Sequence, residues 1–206
     1  HQVHCGFFTG KEFGDIKFDV ITCMNAFAHN ANQLQLLIDA RKRMHETSLL
    51  ICTISQADMI LNGEFDTIYH EHLSFFNINS ANELCKRAGL NLINVIKHPI
   101  HGGSYIFVIS RDYTNKMNIT YLIDQERSKG LYDDQTYHHY AKLAYMAADK
   151  FASTIRQYRA DGYTIIGYGA PAKGNVMMNF AKETPDYIFE DNPLKQMLFT
   201  PGMAAP

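Results

Sequence analysis

A glycine-rich segment constrains the fold of this chain more than any other feature. It occupies residues 167–175 and reads GYGAPAKGN. An apolar run, residues 163–166, precedes it, and an amphipathic stretch, residues 176–181, follows it. This order predicts a strand, a glycine turn and a helix, because glycines let the backbone approach a phosphate and the first N–H groups of a helix point at it. The segment therefore indicates a nucleotide-binding crossover.

Composition and charge exclude several classes of function. The chain has 206 residues, of which 46% are hydrophobic and 19% are charged, as in ordinary globular proteins. Its formal net charge of −2 gives no electrostatic footprint for nucleic acid or an anionic membrane. No apolar run approaches the length of about 20 residues that crosses a bilayer, and the first residues lack a signal-peptide pattern. We therefore expect a cytoplasmic protein without nucleic-acid or membrane partners.

The cysteines predict no metal site and no disulfide framework. The four cysteines are far apart in the sequence and form no CxxC pair. Cys23 and Cys52 lie inside apolar, strand-like runs, which predicts reduced and buried thiols. Reduced thiols agree with a cytoplasmic compartment.

Apolar periodicity predicts an α/β fold in the first half of the chain. Residues 18–24 and 48–54 are short apolar runs, and residues 32–45 between them have helical spacing, which predicts a βαβ unit with buried parallel strands. Residues 91–97 and 105–110 predict an antiparallel pair joined by the turn 99–103. Short helices are predicted over 58–62 and over 80–88, the latter with Ser80 as N-cap and Glu83 completing a capping box.

The second half predicts a long helix followed by another crossover. The helix covers 137–159, and the crossover consists of a strand over 163–168, a helix over 172–182 and a strand over 187–190. Six residues of the long helix are predicted to form its packing face: Leu143, Met146, Ala147, Phe151, Ile155 and Tyr158.

A cluster of proton-transfer groups lies upstream of the glycine turn. Tyr69, His70, Glu71 and His72 bring a phenol, two imidazoles and a carboxylate into consecutive positions. If the chain is extended there, His70 and His72 share one face and Tyr69 and Glu71 the other. Histidine titrates near neutrality, so it can take a proton and return it. Catalysis, a structural polar turn and a metal site all remain open, although the spacing differs from that of HExxH.

Two further loops carry candidate binding residues. Asn25, Ala26 and His29 directly follow the first strand, and ligands of open α/β sheets gather at the carboxyl ends of strands. An N-capping asparagine beside an exposed histidine is the alternative. His101, Gly102 and Gly103 lie in the predicted hairpin turn, where glycines allow a close approach of a ligand or simply form the turn.

The glycine turn and the strand after it supply the remaining candidates. Lys173 can meet a diphosphate as a point charge, and Asp191 is placed to accept hydrogen bonds from a ribose or a base. The candidate substrate-binding residues of this region are Gly167, Gly169, Ala170, Lys173, Gly174, Asn175, Asp191 and Lys195.

Taken together, these segments resemble the sugar C-methyltransferase family, whose members use S-adenosylmethionine to methylate a carbon of a nucleotide-activated keto-deoxysugar. The resemblance rests on FDVITCMNAFAH (18–29), EFDTIYHEHLSFFN (64–77), HGGSY (101–105), GYGAPAKGN (167–175), DNPLKQ (191–196) and TPG (200–202). These segments span nearly the whole chain in the order found in the family.

The resemblance implies a domain organisation. Residues 1–112 are expected to form the C-terminal part of a class I (Rossmann-like) methyltransferase domain that binds S-adenosylmethionine. Residues 113–161 are expected to form a helical connector, and residues 162–206 to start a nucleotide-sugar-binding Rossmann-like domain. A zinc-binding module and the glycine loop for S-adenosylmethionine are expected before His1, so we expect zinc only there and no activity from this segment alone.

The resemblance also implies a mechanism and roles for four residues. A base removes the proton from C3, beside a 4-keto group, and the enolate attacks the methyl group of S-adenosylmethionine. His72 is the expected base, with Tyr69 and Glu71 orienting the sugar or stabilising the enolate oxygen. His29 is a second acid/base candidate.

Two alternatives remain at this point. The chain could be a non-catalytic nucleotide or nucleotide-sugar binding module on a methyltransferase scaffold. It could also be a nicotinamide-dependent oxidoreductase that uses the same glycine turn. Methyl transfer predicts solvent exchange at a sugar carbon, the binding module predicts binding only, and the oxidoreductase predicts an absorbance change of the nicotinamide.

Overall fold

The computed structural model describes residues 3–54, 58–100, 103–112 and 119–206. The chain divides into two compact units. The first unit comprises His1–Met59 and Glu71–Tyr132, and the second comprises Ile60–His70 and Asp133–Pro206. The domain boundaries expected from the sequence stay a prediction.

Helices and strands are interspersed along the described part of the chain. Their bounds are β1 Phe18–Met24, α1 Gln33–Lys42, β2 Met44–Ile54, α2 Met59–Asn62, α3 Ile78–Arg87, β3 Asn91–His98, β4 Ser104–Ser110, α4 Ile119–Ser128, α5 Asp134–Ala160, β5 Ile166–Tyr168, α6 Ala172–Ala181 and β6 Tyr187–Phe189. Single 3-10 turns cover Lys11–Phe13 and Phe27–His29.

The first unit contains a four-stranded mixed sheet in the order β1-β2-β4-β3. β1 and β2 are parallel, with Cys23 opposite Cys52, as predicted for the βαβ unit. β4 runs antiparallel to both β2 and β3, so the predicted hairpin is confirmed. Helices accompany this mixed sheet, which confirms the predicted α/β class.

The prediction that β1 is buried is wrong. Its residues are either partly buried or exposed, and Val20 and Met24 are each more than half exposed. β1 has only β2 as a sheet neighbour among the described residues, so it forms an edge of the sheet. The buried strands are instead β2 and β4, which have neighbours on both sides.

The predicted start of α3 is also wrong. The helix begins at Ile78 and is capped by Asn77, whose side chain accepts the N–H of Ser80 at 2.7 Å. The hydroxyl of Ser80 accepts the N–H of Asn77 in return, at 3.1 Å, so these two residues form the capping box. Starting three residues earlier also buries Ile78, which stabilises this register.

The core of the first unit holds the sheet against α1 and α3. Its fully buried side chains include Leu37, Ala40, Leu50, Cys52, Ile78, Cys85, Leu92, Phe107 and Ile109. Burying each large apolar side chain contributes roughly 1.5–3 kcal/mol, so this core holds β2, β3 and β4 against the two helices.

A buried carboxylate joins three parts of the first unit. Glu126, on α4, is 3% exposed and accepts the N–H of Ile78 at 3.0 Å. It also accepts the hydroxyl of Tyr105 at 3.0 Å and that of Tyr132. Burial and the adjacent Glu126 carboxylate raise the pKa of both phenols, so they remain donors.

The second unit is built from α5 and the parallel pair β5–α6–β6. The predicted strand, glycine turn and helix are confirmed, although β5 begins at Ile166 rather than at residue 163. The predicted packing face of α5 is confirmed at Ile155 and wrong at Met146 and Tyr158, which are more than half exposed. The residues of α5 that are buried are Ala144, Ala148, Ala152 and Ile155. Small side chains allow close helix packing, which periodicity of large apolar residues does not register.

Candidate functional site

The end of β1 presents a short polar turn. Asn25 follows the strand with a left-handed φ of 51°, and its N–H donates to the carbonyl of Thr53 at 3.1 Å. The chain then enters the 3-10 turn Phe27–His29, in which Phe27 and Ala28 are buried. Because its two preceding residues are buried, His29 is fixed at the carboxyl end of β1.

Residues 71–77 are held against this turn by backbone and side-chain contacts. The N–H of Leu73 donates to the carbonyl of Ala28 at 3.0 Å. The side-chain amide of Gln33 donates to the hydroxyl of Ser74 at 2.8 Å and also to the carbonyl of Asn30. These bonds fix the loop that carries Glu71 and His72.

His29, Glu71 and His72 come together in the first unit. The two imidazole rings lie edge to face, with centroids 4.9 Å apart and an interplanar angle of 88°. The Glu71 carboxylate lies 3.9 Å from Nδ1 of His29. The side chain of His29 is 35% exposed and that of Glu71 is 58% exposed. Two accessible imidazoles beside a carboxylate can accept, orient and return a proton.

The other half of the predicted cluster belongs to the second unit. Tyr69 and His70 have ring centroids 6.4 Å apart, and both line a cavity of about 410 Å³ against α6. Residues 66–71 form turns, so the extended geometry that would place His70 and His72 on one face is not observed. The structure therefore assigns the four residues pairwise to different units.

The hairpin turn is described only in part. His101 and Gly102 lie outside the described residues. Gly103 donates its N–H to the carbonyl of Ile100 at 3.1 Å, and the buried hydroxyl of Ser104 donates to the same carbonyl at 2.9 Å. These bonds close the turn between β3 and β4.

Two positions of the glycine turn favour glycine, one because of its backbone conformation and the other because of its close neighbours. Gly169 has φ of 86°, and its N–H donates to the carbonyl of Phe189 at 2.7 Å. A Cβ on Gly167 would lie 3.2 Å from the Pro185 ring. Gly174 is inside α6, where a Cβ would make only ordinary contacts.

The charged residues of this region contact other groups of the second unit. The ammonium of Lys173 lies 3.4 Å from the Asp66 carboxylate. Asp191 accepts a hydrogen bond from the hydroxyl of Tyr168. Lys195 donates to the carbonyl of Ala170 at 3.0 Å. A ligand at Lys173 or Asp191 would therefore share or replace these partners.

A cavity of about 420 Å³ adjoins the glycine turn and the start of α6. Its polar lining includes His70, Asn175, Glu190 and Lys195, and its apolar lining includes Met178 and Phe199. The carbonyl of Asn175 accepts the side-chain N–H of Asn179 at 2.9 Å.

Glu190 was missed by the sequence reasoning. It directly follows β6, and an acidic residue about 20 positions after the glycine turn was the available signal. The N–H groups of Asn192 and Ala170 hold the pKa of Glu190 below its ordinary value. The carboxylate is therefore ionised at neutral pH.

The described part of the chain holds neither a metal-binding cluster nor a membrane-spanning helix. No group of three or more His, Cys, Asp or Glu residues is arranged to hold a metal ion there. None of its helices has the length and apolar character needed to cross a membrane.

Two known families match the chain. Residues 99–206 match the family described as the C-methyltransferase C-terminal domain, and residues 2–95 match a methyltransferase domain. Over 155 residues the chain is 29% identical to the C-methyltransferase NovU of Streptomyces niveus, a match that covers 72% of this chain and 37% of that protein. The chain thus spans well under half the length of this relative.

A solved structure gives a weaker likeness. It comes from a complex between the Haloferax volcanii Trm112 methyltransferase activator and a methyltransferase. The match has 13% identity and a TM-score of 0.39, and covers 50% of this chain and 57% of the other. A TM-score this low does not support an argument about the fold.

The family matches agree with the architecture. The mixed sheet of the first unit is consistent with the Rossmann-like class I fold of a methyltransferase domain. The predicted resemblance to a C-methyltransferase family is confirmed. The chain belongs to the family of the C-methyltransferase C-terminal domain, and its first half matches a methyltransferase domain.

Proposed function

We propose that this protein transfers a methyl group from S-adenosylmethionine to a carbon next to the keto group of a nucleotide-linked sugar. The acceptor is C3 of a 4-keto-deoxysugar, activated as an enolate. The observation that carries the proposal is the contact of His29 with Glu71 and His72 at the carboxyl end of β1. The cluster supplies proton-transfer groups in a chain that belongs to a C-methyltransferase family.

The donor set at the end of β1 fits S-adenosylmethionine. Asn25 is an exposed amide at the strand end, and the half-exposed carboxylate of Glu71 provides negative charge that suits a sulfonium and an amino group. Asn25 and Ala26 would hold the molecule. When bound, it supplies an electrophilic methyl group.

His72 is the proposed base. Its imidazole takes the proton from the carbon beside the keto group, and the electron pair left on that carbon is delocalised onto the keto oxygen. His29 lies against His72 and is the second acid/base group. Glu71, beside His29, orients the sugar or stabilises the enolate oxygen.

The second unit is proposed to bind the nucleotide part of the substrate. Support comes from the left-handed Gly169, the start of α6 and the cavity beside them. Lys173 supplies positive charge for a diphosphate, Asp191 supplies an acceptor, and Lys195 is a further proposed substrate contact. The hairpin residues His101, Gly102 and Gly103 are proposed as further substrate contacts.

Solvent exchange at the sugar carbon tests the proposed chemistry. In the intact parent protein, His72→Gln should slow exchange of the C3 proton of a nucleotide-linked 4-keto-deoxysugar in D₂O by at least about 100-fold, with nucleotide binding retained. His45→Gln is the matched control, because the imidazole of His45 contacts the side chains of Asp19 and Thr47 and is not part of the His29–Glu71–His72 cluster. Exchange at the unaltered rate in His72→Gln would show that another group is the base.

A non-catalytic nucleotide-sugar binding module is the second candidate. It is favoured by one observation: the glycine turn and its cavity lie wholly within the second unit. That function predicts that the unaltered protein binds a nucleotide sugar and catalyses neither proton exchange nor methyl transfer. Any measurable exchange above the rate in buffer excludes it.

A further inference from the structure

Two carboxylates directly follow β6, and they have different surroundings. Glu190 lines the cavity of about 420 Å³ beside the glycine turn. Asp191 is not among the described residues that line this cavity, and its carboxylate accepts the hydroxyl of Tyr168. The geometry therefore separates the two acids, and Glu190 is the one that faces a ligand-sized space.

The Glu190 carboxylate is fixed by the surrounding backbone. Its Oε2 accepts the N–H of Ala170 at 2.7 Å, and its Oε1 accepts the N–H of Asn192 at 3.0 Å. The ammonium of Lys195 lies 3.7 Å away, and the Glu190 side chain is 16% exposed. A carboxylate held on both oxygens keeps one orientation, which a selective binding site requires.

The chemistry of an ionised carboxylate limits what can lie next to it. It accepts hydrogen bonds and donates none, and its two oxygens offer about four acceptor positions. Two of these positions are taken by the backbone N–H groups of Ala170 and Asn192. The rest suit a hydroxyl or an N–H of a ligand. A phosphate would be repelled there, and the N–H of Ala170 is already bonded to Glu190.

Much of the remaining cavity lining is apolar. Met178, Ile188, Leu198 and Phe199 belong to its lining, and the Phe199 side chain is 68% exposed. Aromatic and aliphatic surface of this kind suits the flat face of a nucleobase. A volume of about 420 Å³ is in the range of small-molecule sites.

We propose that Glu190 accepts a hydrogen bond from a hydroxyl group of the ligand's pentose and thereby selects the nucleoside part of the substrate. This inference rests on the proposed function and names the group that the second unit recognises. The phosphates then lie away from Glu190.

The test compares nucleotides that differ only in pentose hydroxyls. Titration calorimetry on the full chain would use thymidine diphosphate with its 3′-deoxy analogue, and uridine diphosphate with its 2′,3′-dideoxy analogue. We expect removal of the hydroxyls to weaken binding about tenfold or more in a series that binds, because a hydrogen bond to an ionised carboxylate is lost. A contrast below about twofold, or no measurable binding of either parent nucleotide, overturns the proposal.

Variants assign the contrast to a residue. In Glu190→Gln the parent and the deoxy analogue should bind alike, while Glu46→Gln, an exposed glutamate in the first unit, should keep the full contrast. If Asp191→Asn loses the contrast and Glu190→Gln keeps it, the assignment is wrong. Should Glu190→Gln unfold, the affinity difference between nucleotide and deoxy analogue is measured in the unaltered protein and in Asp191→Asn. Its loss in Asp191→Asn would contradict the role of Glu190, and its retention would support it.

The outcome is separable from that of the proposed function. Proton exchange at the sugar carbon reports on His72, and it is measured without comparing nucleotides that differ in their pentose hydroxyls. Exchange without a hydroxyl contrast contradicts the role of Glu190 alone. A hydroxyl contrast without exchange contradicts methyl transfer and leaves the role of Glu190 standing.

Discussion

The imidazole of His72 lies edge-on to that of His29, with ring centroids 4.9 Å apart. The two residues come from separate segments, the turn after β1 and the loop before α3. The hydrogen bond from the N–H of Leu73 to the carbonyl of Ala28 holds these segments together. Since each ring forms part of the other's surroundings, a change at one is expected to alter the effect of a change at the other.

Double substitution of the histidines tests this coupling. We expect His72→Gln to slow proton exchange at the sugar carbon by at least about 100-fold and His29→Asn by about tenfold. The exchange rate of the double variant should fall by less than the product of the two single effects, because the effects of substitutions at residues in contact are not additive. Exchange rates measured by NMR in D₂O give the comparison. A fully multiplicative loss would mean that the rings act independently.

Gln33 is expected to act as a positioning residue. Its amide joins Ser74 to the carbonyl of Asn30, so Gln33→Leu releases the loop that carries His72. We predict about a tenfold fall in kcat with KM little changed, since the substrate contacts themselves remain. Gln35→Leu is the matched control, because Gln35 is exposed on the same helix. Equal effects of the two substitutions would contradict the positioning role.

Local patterns were sufficient to predict much of the fold. Gly63 and Gly89 have positive φ and follow α2 and α3, as expected for residues that end helices. The apolar runs of β1 and β2 and the glycine turn before α6 were located from residue order alone. Each of these features depends on neighbours in sequence, which is why the pattern was enough.

Long-range contacts decided the remainder. The exposure of Val20 follows from the position of β1 at a sheet edge, which no pattern within the strand reports. The pairing of Lys173 with Asp66 joins segments that are distant in sequence. The contact of His29 with His72 could be suspected from their residue types, but its geometry depends on how two loops pack.

Loss of the buried carboxylate on α4 should destabilise the first unit. Glu126→Ala leaves the N–H of Ile78 and the hydroxyl of Tyr105 without their acceptor, which should cost about 3 kcal/mol. Tyr132→Phe removes one hydrogen-bond donor and leaves no buried N–H without an acceptor, so a loss of about 1 kcal/mol in the free energy of unfolding is expected. Urea unfolding followed by circular dichroism measures both free energies. Similar losses in the two variants would contradict this role for Glu126.

Gly169 in the glycine turn and Gly174 in α6 should differ in their tolerance of alanine. Gly169 has a left-handed φ, so Gly169→Ala should reduce stability by about 1 kcal/mol. Gly174 lies within α6, and its added Cβ would be 3.5 Å from the Pro171 ring, so Gly174→Ala should be neutral or stabilising by up to about 1 kcal/mol. The Tm values of both variants, measured by thermal unfolding, test this difference. Equal destabilisation would show that backbone conformation does not distinguish them.

The ion pairs of Arg159 should make the protein less stable in acid. Burial opposes ionisation of Glu183, but hydrogen bonds from Arg159 and Arg156 bring its pKa below the ordinary value. The pKa of Asp186 is also lowered, mainly by the N–H of Ile165 and further by Arg159. Groups with lowered folded-state pKa stabilise above their unfolded pKa, so stability should fall as the pH drops from about 5 to about 3. Arg159→Gln should flatten the dependence of Tm on pH in this window, whereas Arg87→Gln, an exposed arginine at the end of α3, should leave it unchanged. The same slope in all three proteins would mean that these carboxylates gain no stability from Arg159.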